Sequence, residues 1–229
     1  MSHDFECLDS ELLIDAPIIA VRRDRVSMPQ GRIVSREVVE HFGAVAVVAL
    51  DGDLHDPSVV LIRQFRTAVG RRLLELPAGL LDIYGEDPWV CAQRELYEEA
   101  GLKADTWDLL LDAAASPGFS DEAVRIFLAR GVHFVGRPEA HDEEADLEIV
   151  TMPLREAVQA VFDGRVDNAF ASLGLLAAWH AVNARADVQL RDVSTPFDLR
   201  PTALAARRYA EGFDADMKKI PAEDPHGEG

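Results

Sequence analysis

The sequence has few cysteines and contains no long run of apolar residues. Cys7 and Cys91 are the only cysteines in 229 residues, and the start of the chain lacks the pattern of a secretory signal peptide. No apolar stretch reaches the roughly 18–20 residues that a membrane-spanning helix needs. We therefore expect a protein of the reducing cytoplasm that does not span a membrane.

Basic residues are also scarce. The chain has 23 Lys and Arg against 41 Asp and Glu, which gives a formal net charge of -18. This balance argues against binding nucleic acid through its phosphates, because that requires a basic surface. A phosphate-bearing ligand would have to be received through local arginines and a metal ion, so we expect a small substrate. The length and the hydrophobic content of 48% suit one domain, with or without an appended segment.

Apolar periodicity predicts strands on both sides of one acidic helix. The strands are expected at about 17–26, 32–41, 44–50 and 58–66, and then near 107–112, 123–130 and 146–151. Helices are expected at about 88–100, 153–163, 168–185 and 201–212. The order of these elements predicts an α+β fold. Residues 213–229 are polar, contain Pro and Gly, and are expected to form a mobile tail.

The acidic helix is the most informative element. Asp87 as N-cap and Pro88 at the first helical position predict its start, and Gly101 predicts its end. One side of the helix carries three carboxylates, those of Glu95, Glu98 and Glu99. Carboxylates this close repel one another, and a divalent cation such as Mg²⁺ would relieve the repulsion. A solvated acidic face is the alternative, and the acids alone do not decide between the two.

The residues around this helix match a longer motif. They are Gly79, Glu86, Arg94, Glu95, Leu96, Glu98, Glu99, Gly101 and Leu102. This set resembles the Nudix box, in which a glycine and a spaced glutamate precede the pattern R-E-aliphatic-x-E-E-x-G-aliphatic. Nine such matches would arise by chance on the order of once in ten million chains. The resemblance implies a Nudix fold, a mixed β-sheet sandwiched between helices, here with an N-terminal β-rich extension.

The match has one departure from the family's pattern. Six residues separate Gly79 from Glu86, where the usual spacing has five. We place the extra residue between Asp82 and Gly85, ahead of the helix. The extra residue therefore affects the geometry around Glu86, whereas the spacing from Arg94 onward is unbroken.

The resemblance to the family implies roles for the residues of the box. Glu95 and Glu99 correspond to the main metal ligands, Glu98 to a further direct or water-mediated ligand, and the Ala78 backbone to a carbonyl ligand. The implied ion is Mg²⁺ or Mn²⁺. The expected structural support of the box comes from Gly79, Glu86, Arg94 and Gly101, with Glu86 and Arg94 forming an internal ion pair.

Three further stretches are similar to the ADP-ribose pyrophosphatase branch of the family, at residues 75–79, 116–122 and 164–169. That branch hydrolyses ADP-ribose to AMP and ribose 5-phosphate. Another ADP-sugar, GDP-mannose or a dinucleoside polyphosphate is the close alternative, because the box dictates the bond that is cleaved and not the attached groups. The alternative from another class of protein is a sensor that binds ADP-ribose without cleaving it. Such sensors usually lack acidic residues of the box, whereas this chain retains them.

In this branch the general base lies outside the box, in an acidic loop downstream. The matching loop here is 141–146, with Glu144 as the candidate and Glu143 behind it; the alternative is a merely solvated loop. Arg66 is the candidate for binding a diphosphate through two hydrogen bonds. The alternative role of Arg66 is a surface salt bridge. Glu122 is the candidate for contacting the ligand or a partner subunit. The alternative is that Glu122 serves as a structural cap.

Similar proteins are homodimers that exchange their N-terminal strands across the interface. The resemblance therefore implies a homodimer for this chain. We expect three parts: residues 1–45 as a β-rich dimerisation segment, 46–212 as the hydrolase domain and 213–229 as the polar tail.

Overall fold

The computed structural model describes residues 5–53, 55–138, 146–184 and 188–219. These residues form ten strands and four α-helices. The first three strands make a separate antiparallel sheet in the order β1-β2-β3, followed directly by the rest of the fold. Their bounds are Cys7–Asp15 for β1, Ile19–Ser27 for β2 and Ile33–His41 for β3, with a short 3₁₀ turn at Pro29–Gly31 between the last two.

The second sheet is mixed and carries the core. Its strands are β4 (Ala44–Asp51), β5 (Ser58–Arg66), β6 (Arg71–Glu75), β7 (Ala78–Leu80), β8 (Leu102–Ala114), β9 (Ala123–Phe134) and β10 (Glu148–Pro153). The main order is β10-β5-β4-β9-β8, while β6 pairs with β5 and β7 pairs with β4. The pair β4–β9 is parallel and the other pairs are antiparallel.

Helices cover both faces of this sheet. They are α1 (Pro88–Ala100) on one face and α2 (Leu154–Phe162) and α3 (Ala169–Asn183) on the other. The fourth helix, α4 (Ala203–Ala210), packs against the end of the N-terminal sheet. Successive residues of a strand point to opposite faces, so Val47 packs in the cluster that contains α1, whereas Val48 packs in the cluster with α2 and α3. Both faces are therefore apolar, and the expected α+β arrangement of a mixed sheet between helices is confirmed.

The predicted strands and helices are all present, but apolar periodicity did not predict three further strands. Strand β1 has exposed residues at all nine positions, so its sequence lacks the alternation that marks a half-buried strand. Strands β6 and β7 have five and three residues, too few to show a period. No helix within the described ranges is long and apolar enough to cross a bilayer.

The described part of the C-terminal segment is packed, which corrects our expectation of a mobile tail for residues 213–219. Met217 is 1% exposed and lies in a small apolar cluster with Ala20, Phe42 and Leu204. Its backbone N–H also donates to the carbonyl of Asp82. A single buried methionine in a polar stretch gives no periodic signal, which explains why the sequence pattern did not reveal this contact.

Candidate active site

Helix α1 begins and ends at the residues that its caps predict. The Asp87 side chain accepts a hydrogen bond of 2.8 Å from the backbone N–H of Trp89, and Pro88 takes the first helical position. At the other end Gly101 has the left-handed φ of 67° that a glycine adopts without strain. The caps fix the register of the helix, and the register decides which side chains face the preceding loop.

Arg94 joins three carboxylates at the start of the site. Its Nε and Nη2 each donate to Glu86 over 3.0 Å, so the pair is bidentate. Its Nη1 donates to Glu95 over 2.6 Å and to Glu98 over 3.0 Å. The loop before the helix is thus tied to α1 through Glu86 despite the extra residue that it contains.

Glu95 lies against the backbone of Gly79. A Cβ built at position 79 would overlap the carboxyl group of Glu95, so this approach requires a glycine. Burial raises the pKa of Glu95 to about 7, although the Arg94 guanidinium beside it lowers the pKa. The negative charges of Glu98 and Asp82 add to the increase. The buried carboxylate therefore has too little positive charge around it to ionise readily.

Glu99 connects α1 to the strand before the box loop. It is 7% exposed, and its Oε2 accepts a hydrogen bond of 2.8 Å from the backbone N–H of Ala78. This contact holds the Ala78 peptide beside the acidic side of the helix. Ala78, Glu95 and Glu99, for which the family resemblance implies one metal site, are accordingly next to one another in space.

A cleft of about 410 Å³ opens beside these residues. Its lining comes from the box and from the C-terminal segment, with Gly79, Leu80, Asp82, Ile83, Arg94, Glu95, Glu98, Ala215, Asp216 and Lys218. Arg66 and Glu122 are not among the lining residues. The cleft is acidic, with two cations among its lining side chains.

The side chains of the cleft fit a hard divalent cation in their chemistry. Across the described ranges no three His, Cys, Asp or Glu side chains converge as a ready ligand set. Glu95 and Glu98 instead share the Arg94 guanidinium, which brings both carboxylates to one point. Oxygen donors of this kind suit Mg²⁺ or Mn²⁺, and a cation would compensate the buried charge of Glu95.

Arg66 forms an ion pair away from this cleft. Its guanidinium donates to both carboxylate oxygens of Glu75, over 3.1 Å from Nε and 2.7 Å from Nη2. Glu75 is 4% exposed, while the Arg66 side chain is 41% exposed. The ion pair that sequence analysis weighed against a diphosphate contact is therefore present, with one buried partner.

Glu122 contributes its backbone to a turn. Its N–H donates to Ser120 Oγ over 3.1 Å, and its carbonyl accepts from the N–H of Ala115 over 2.9 Å. The turn lies beside His41, whose pKa is lowered by burial and raised to a lesser extent by the charges of Glu122 and Asp121. These contacts describe a structural role for this part of the chain.

The proposed general bases Glu143 and Glu144 lie outside the described residues. The last residue of their loop, Asp146, is described and forms an ion pair with Arg72 of β6. Sequence reasoning missed Lys218, which lines the cleft. The available signal was weak: two adjacent lysines, Lys218 and Lys219, stand in an otherwise acidic C-terminal stretch.

Two family models match adjoining parts of the chain. The NUDIX domain model matches residues 40–171, and the model of the nucleoside diphosphate sugar hydrolase N-terminal domain matches residues 5–39. The boundary between the two models falls near the end of β3, where the separate sheet ends.

The proteins similar to the chain include two ADP-ribose pyrophosphatases and one solved structure. The ADP-ribose pyrophosphatase of Mycobacterium tuberculosis is 53% identical over 206 residues, 90% of this chain and 97% of the relative. The ADP-ribose pyrophosphatase of Bacillus subtilis is 34% identical over 66% of this chain and 80% of its own length. A solved structure of an ADP compounds hydrolase has a TM-score of 0.68 at 20% identity and covers 81% of this chain and 98% of its own, which supports the fold. Because the family model spans more than half of its residues and a relative is 53% identical over 90% of it, this chain belongs to the NUDIX family.

Proposed function

We propose that this protein hydrolyses the pyrophosphate bond of ADP-ribose and releases AMP and ribose 5-phosphate. The observation that carries the proposal is the 53% identity to an ADP-ribose pyrophosphatase across 90% of the chain. The complete acidic side of α1, held in place by Arg94, supports a catalytic protein rather than a sensor. Such an enzyme would act in the cytoplasm.

The reaction needs positive charge at the diphosphate, and the box residues are suited to hold it. We assign the metal site to Glu95, Glu99, the Ala78 carbonyl and Glu98, with Mg²⁺ or Mn²⁺ as the ion. The bound ion would neutralise developing negative charge and make a water molecule more acidic. Glu86 and Arg94 keep the helix and loop in register, so the carboxylates need little rearrangement.

A base has to take the proton of the attacking water. We assign this role to Glu144, with Glu143 as the second candidate, because the loop follows the site at the position expected for this branch. The loop ends at Asp146, which is fixed to Arg72. A base on a loop can come within hydrogen-bond distance of the water when substrate binds.

Arg66 and Glu122 are proposed contacts of the substrate. Arg66 would have to bind a diphosphate while it neutralises Glu75, so we expect its contribution to be modest. Glu122 could reach a ligand or a partner subunit with its side chain, because the turn uses only its backbone groups.

The protein is proposed to be a homodimer assembled through residues 1–45. Strand β1 presents apolar side chains to solvent, with Leu12 45% exposed and Ile14 54% exposed. Exposed apolar side chains on an edge strand favour association. Light scattering at micromolar concentration should give twice the mass of the chain, and a single-chain mass would refute the dimer.

A substrate panel tests the proposed specificity. ADP-ribose, another ADP-sugar, GDP-mannose, a dinucleoside polyphosphate and a nucleoside triphosphate would each be incubated with the protein and Mg²⁺. Specificity is the ratio of kcat/KM values, and ADP-ribose should have the highest. A preference for the triphosphate would overturn the assignment to this branch.

A further inference from the structure

The C-terminal segment of residues 213–219, here called the C-terminal strap, runs along the loop that precedes α1. Asp216 forms an antiparallel bridge with Ile83. The N–H of Tyr84 donates to the carbonyl of Ala215, and the N–H of Met217 donates to the carbonyl of Asp82, each over 2.9 Å. The strap thus pairs with the loop that contains the extra residue of the box.

Contacts on both sides of Lys218 fix the strap in place. Before it, Met217 is buried against the end of the N-terminal sheet. After it, the Lys219 ammonium group contacts Asp15 and lies 2.7 Å from Glu211. The backbone at Lys218 is therefore positioned by its neighbours and does not depend on its own side chain.

Lys218 places its ammonium group in the acidic cleft. Its Nζ lies 2.8 Å from Oδ2 of Asp82, and it lines the cleft together with Gly79, Glu95 and Glu98. The nearest oxygen of Asp216 is 3.7 Å away, which is too far for a hydrogen bond. An ammonium group has three N–H donors, so the contact with Asp82 leaves donors for a ligand.

The other cation of the cleft lining is already committed. Arg94 donates to Glu86, Glu95 and Glu98. A diphosphate approaching this cleft would meet several carboxylates, and their repulsion has to be offset locally because the whole chain is acidic. Lysine is a compact positive charge that binds phosphate well.

We propose that Lys218 is a substrate-binding residue that donates a hydrogen bond to a phosphate oxygen of the diphosphate. The inference deepens the proposed function and rests on the cleft receiving a diphosphate. Asp82 orients the ammonium group, and the strap delivers it from a part of the chain beyond the NUDIX model. The competing role is purely structural, in which Lys218 only ties the strap to Asp82.

Adjacent lysines allow a matched experiment. Lys218→Gln, Lys218→Arg and the control Lys219→Gln would be compared with the full-length wild type in KM, kcat and Tm. Loss of one charge-assisted hydrogen bond should raise KM for ADP-ribose about tenfold in Lys218→Gln, with Lys218→Arg recovering much of the loss. Lys219→Gln should leave KM unchanged, and it should lower Tm at least as much as Lys218→Gln does. Equal KM for Lys218→Gln and wild type would overturn the proposal, as would an equal rise in KM for Lys219→Gln.

A binding measurement separates this proposal from the choice of substrate. Calorimetric titration with inorganic pyrophosphate in excess Mg²⁺ needs no nucleoside and no turnover. Wild type should bind pyrophosphate about tenfold more tightly than Lys218→Gln, and as tightly as Lys219→Gln. This result would support the role of Lys218 even if ADP-ribose were not hydrolysed. Equal affinity of wild type and Lys218→Gln, or no binding by wild type, would refute it.

Discussion

The carboxyl group of Glu95 occupies the space that a side chain at Gly79 would need. This contact places strand β7 against the acidic side of α1. It also explains on steric grounds why position 79 of the box is a glycine. Glu95 is the far end of a flexible side chain, so added bulk at position 79 would displace the carboxylate before it disturbed the backbone. The glycine therefore sets the position of a proposed metal ligand.

We expect Gly79→Ala to lower kcat for ADP-ribose by about 100-fold, because moving a catalytic group by about 1 Å has effects of that size. Steady-state kinetics would measure the loss, and Tm should change little. Gly118→Ala is the control for Tm, because position 118 has open space and an unstrained backbone. A Gly79→Ala protein with wild-type kcat would show that Glu95 does not need this position.

The Glu86–Arg94 pair should contribute more to stability than an exposed ion pair. In EDTA, we expect Glu86→Gln to lower the free energy of unfolding by about 1–3 kcal/mol, because a bidentate contact with a partly buried arginine is lost. Urea unfolding monitored by circular dichroism would measure the change.

The matched control is Glu148→Gln on the surface. Glu148 pairs with Arg63 over 3.3 Å, and both side chains are well exposed, so we expect a change of about 0–1 kcal/mol. If the two variants lost the same free energy of unfolding, the Glu86–Arg94 pair would contribute no more to stability than an exposed ion pair, which would contradict the prediction.

His41 should contribute stability that is lost on the acid side of neutrality. Burial lowers the pKa of His41 below its usual 6.5, and its Nδ1 accepts a hydrogen bond from the N–H of Gly43. The unfolded chain takes up the proton first as the pH falls through 6.5. The contribution of neutral His41 to the free energy of unfolding is therefore fully present above pH 6.5. It is lost as the pH falls through the pKa of His41 in the folded protein.

His41→Asn tests this cause, because the amide oxygen can replace Nδ1 as an acceptor without titrating. Urea unfolding at pH 7.5, 6.5 and 5.5 should show that the variant gains stability relative to wild type as the pH falls. Parallel pH profiles for the two proteins would contradict the role of His41.

The sequence predicts the acidic helix α1 well because its capping residues act locally. Asp87, Pro88 and Gly101 signal the helix ends through their own backbone preferences. The resemblance to the family predicts the Glu86–Arg94 pair, although one extra residue precedes Glu86 in the loop. The structure contains that pair in bidentate form.

What the sequence did not predict depends on contacts between distant parts of the chain. The burial of Met217 and the position of Lys218 follow from packing against residues about 135 to 200 positions earlier in the chain. The pairing of Arg66 with Glu75 depends on the register of β5 and β6, and β6 was itself too short to predict. Apolar periodicity did not predict strand β1, because both of its faces are exposed.

The most direct test of the account is AMP release from ADP-ribose in Mg²⁺ by wild type and Glu99→Gln. Glutamine can still accept the hydrogen bond from Ala78, so the fold should be retained while a proposed metal ligand loses its charge. Glu156→Gln, on an exposed part of α2, is the control. We expect wild type and control to release AMP and ribose 5-phosphate, and Glu99→Gln to lose about 100-fold or more in kcat. Full activity of Glu99→Gln would contradict the metal assignment, and no turnover by wild type would contradict the proposed function and favour a sensor.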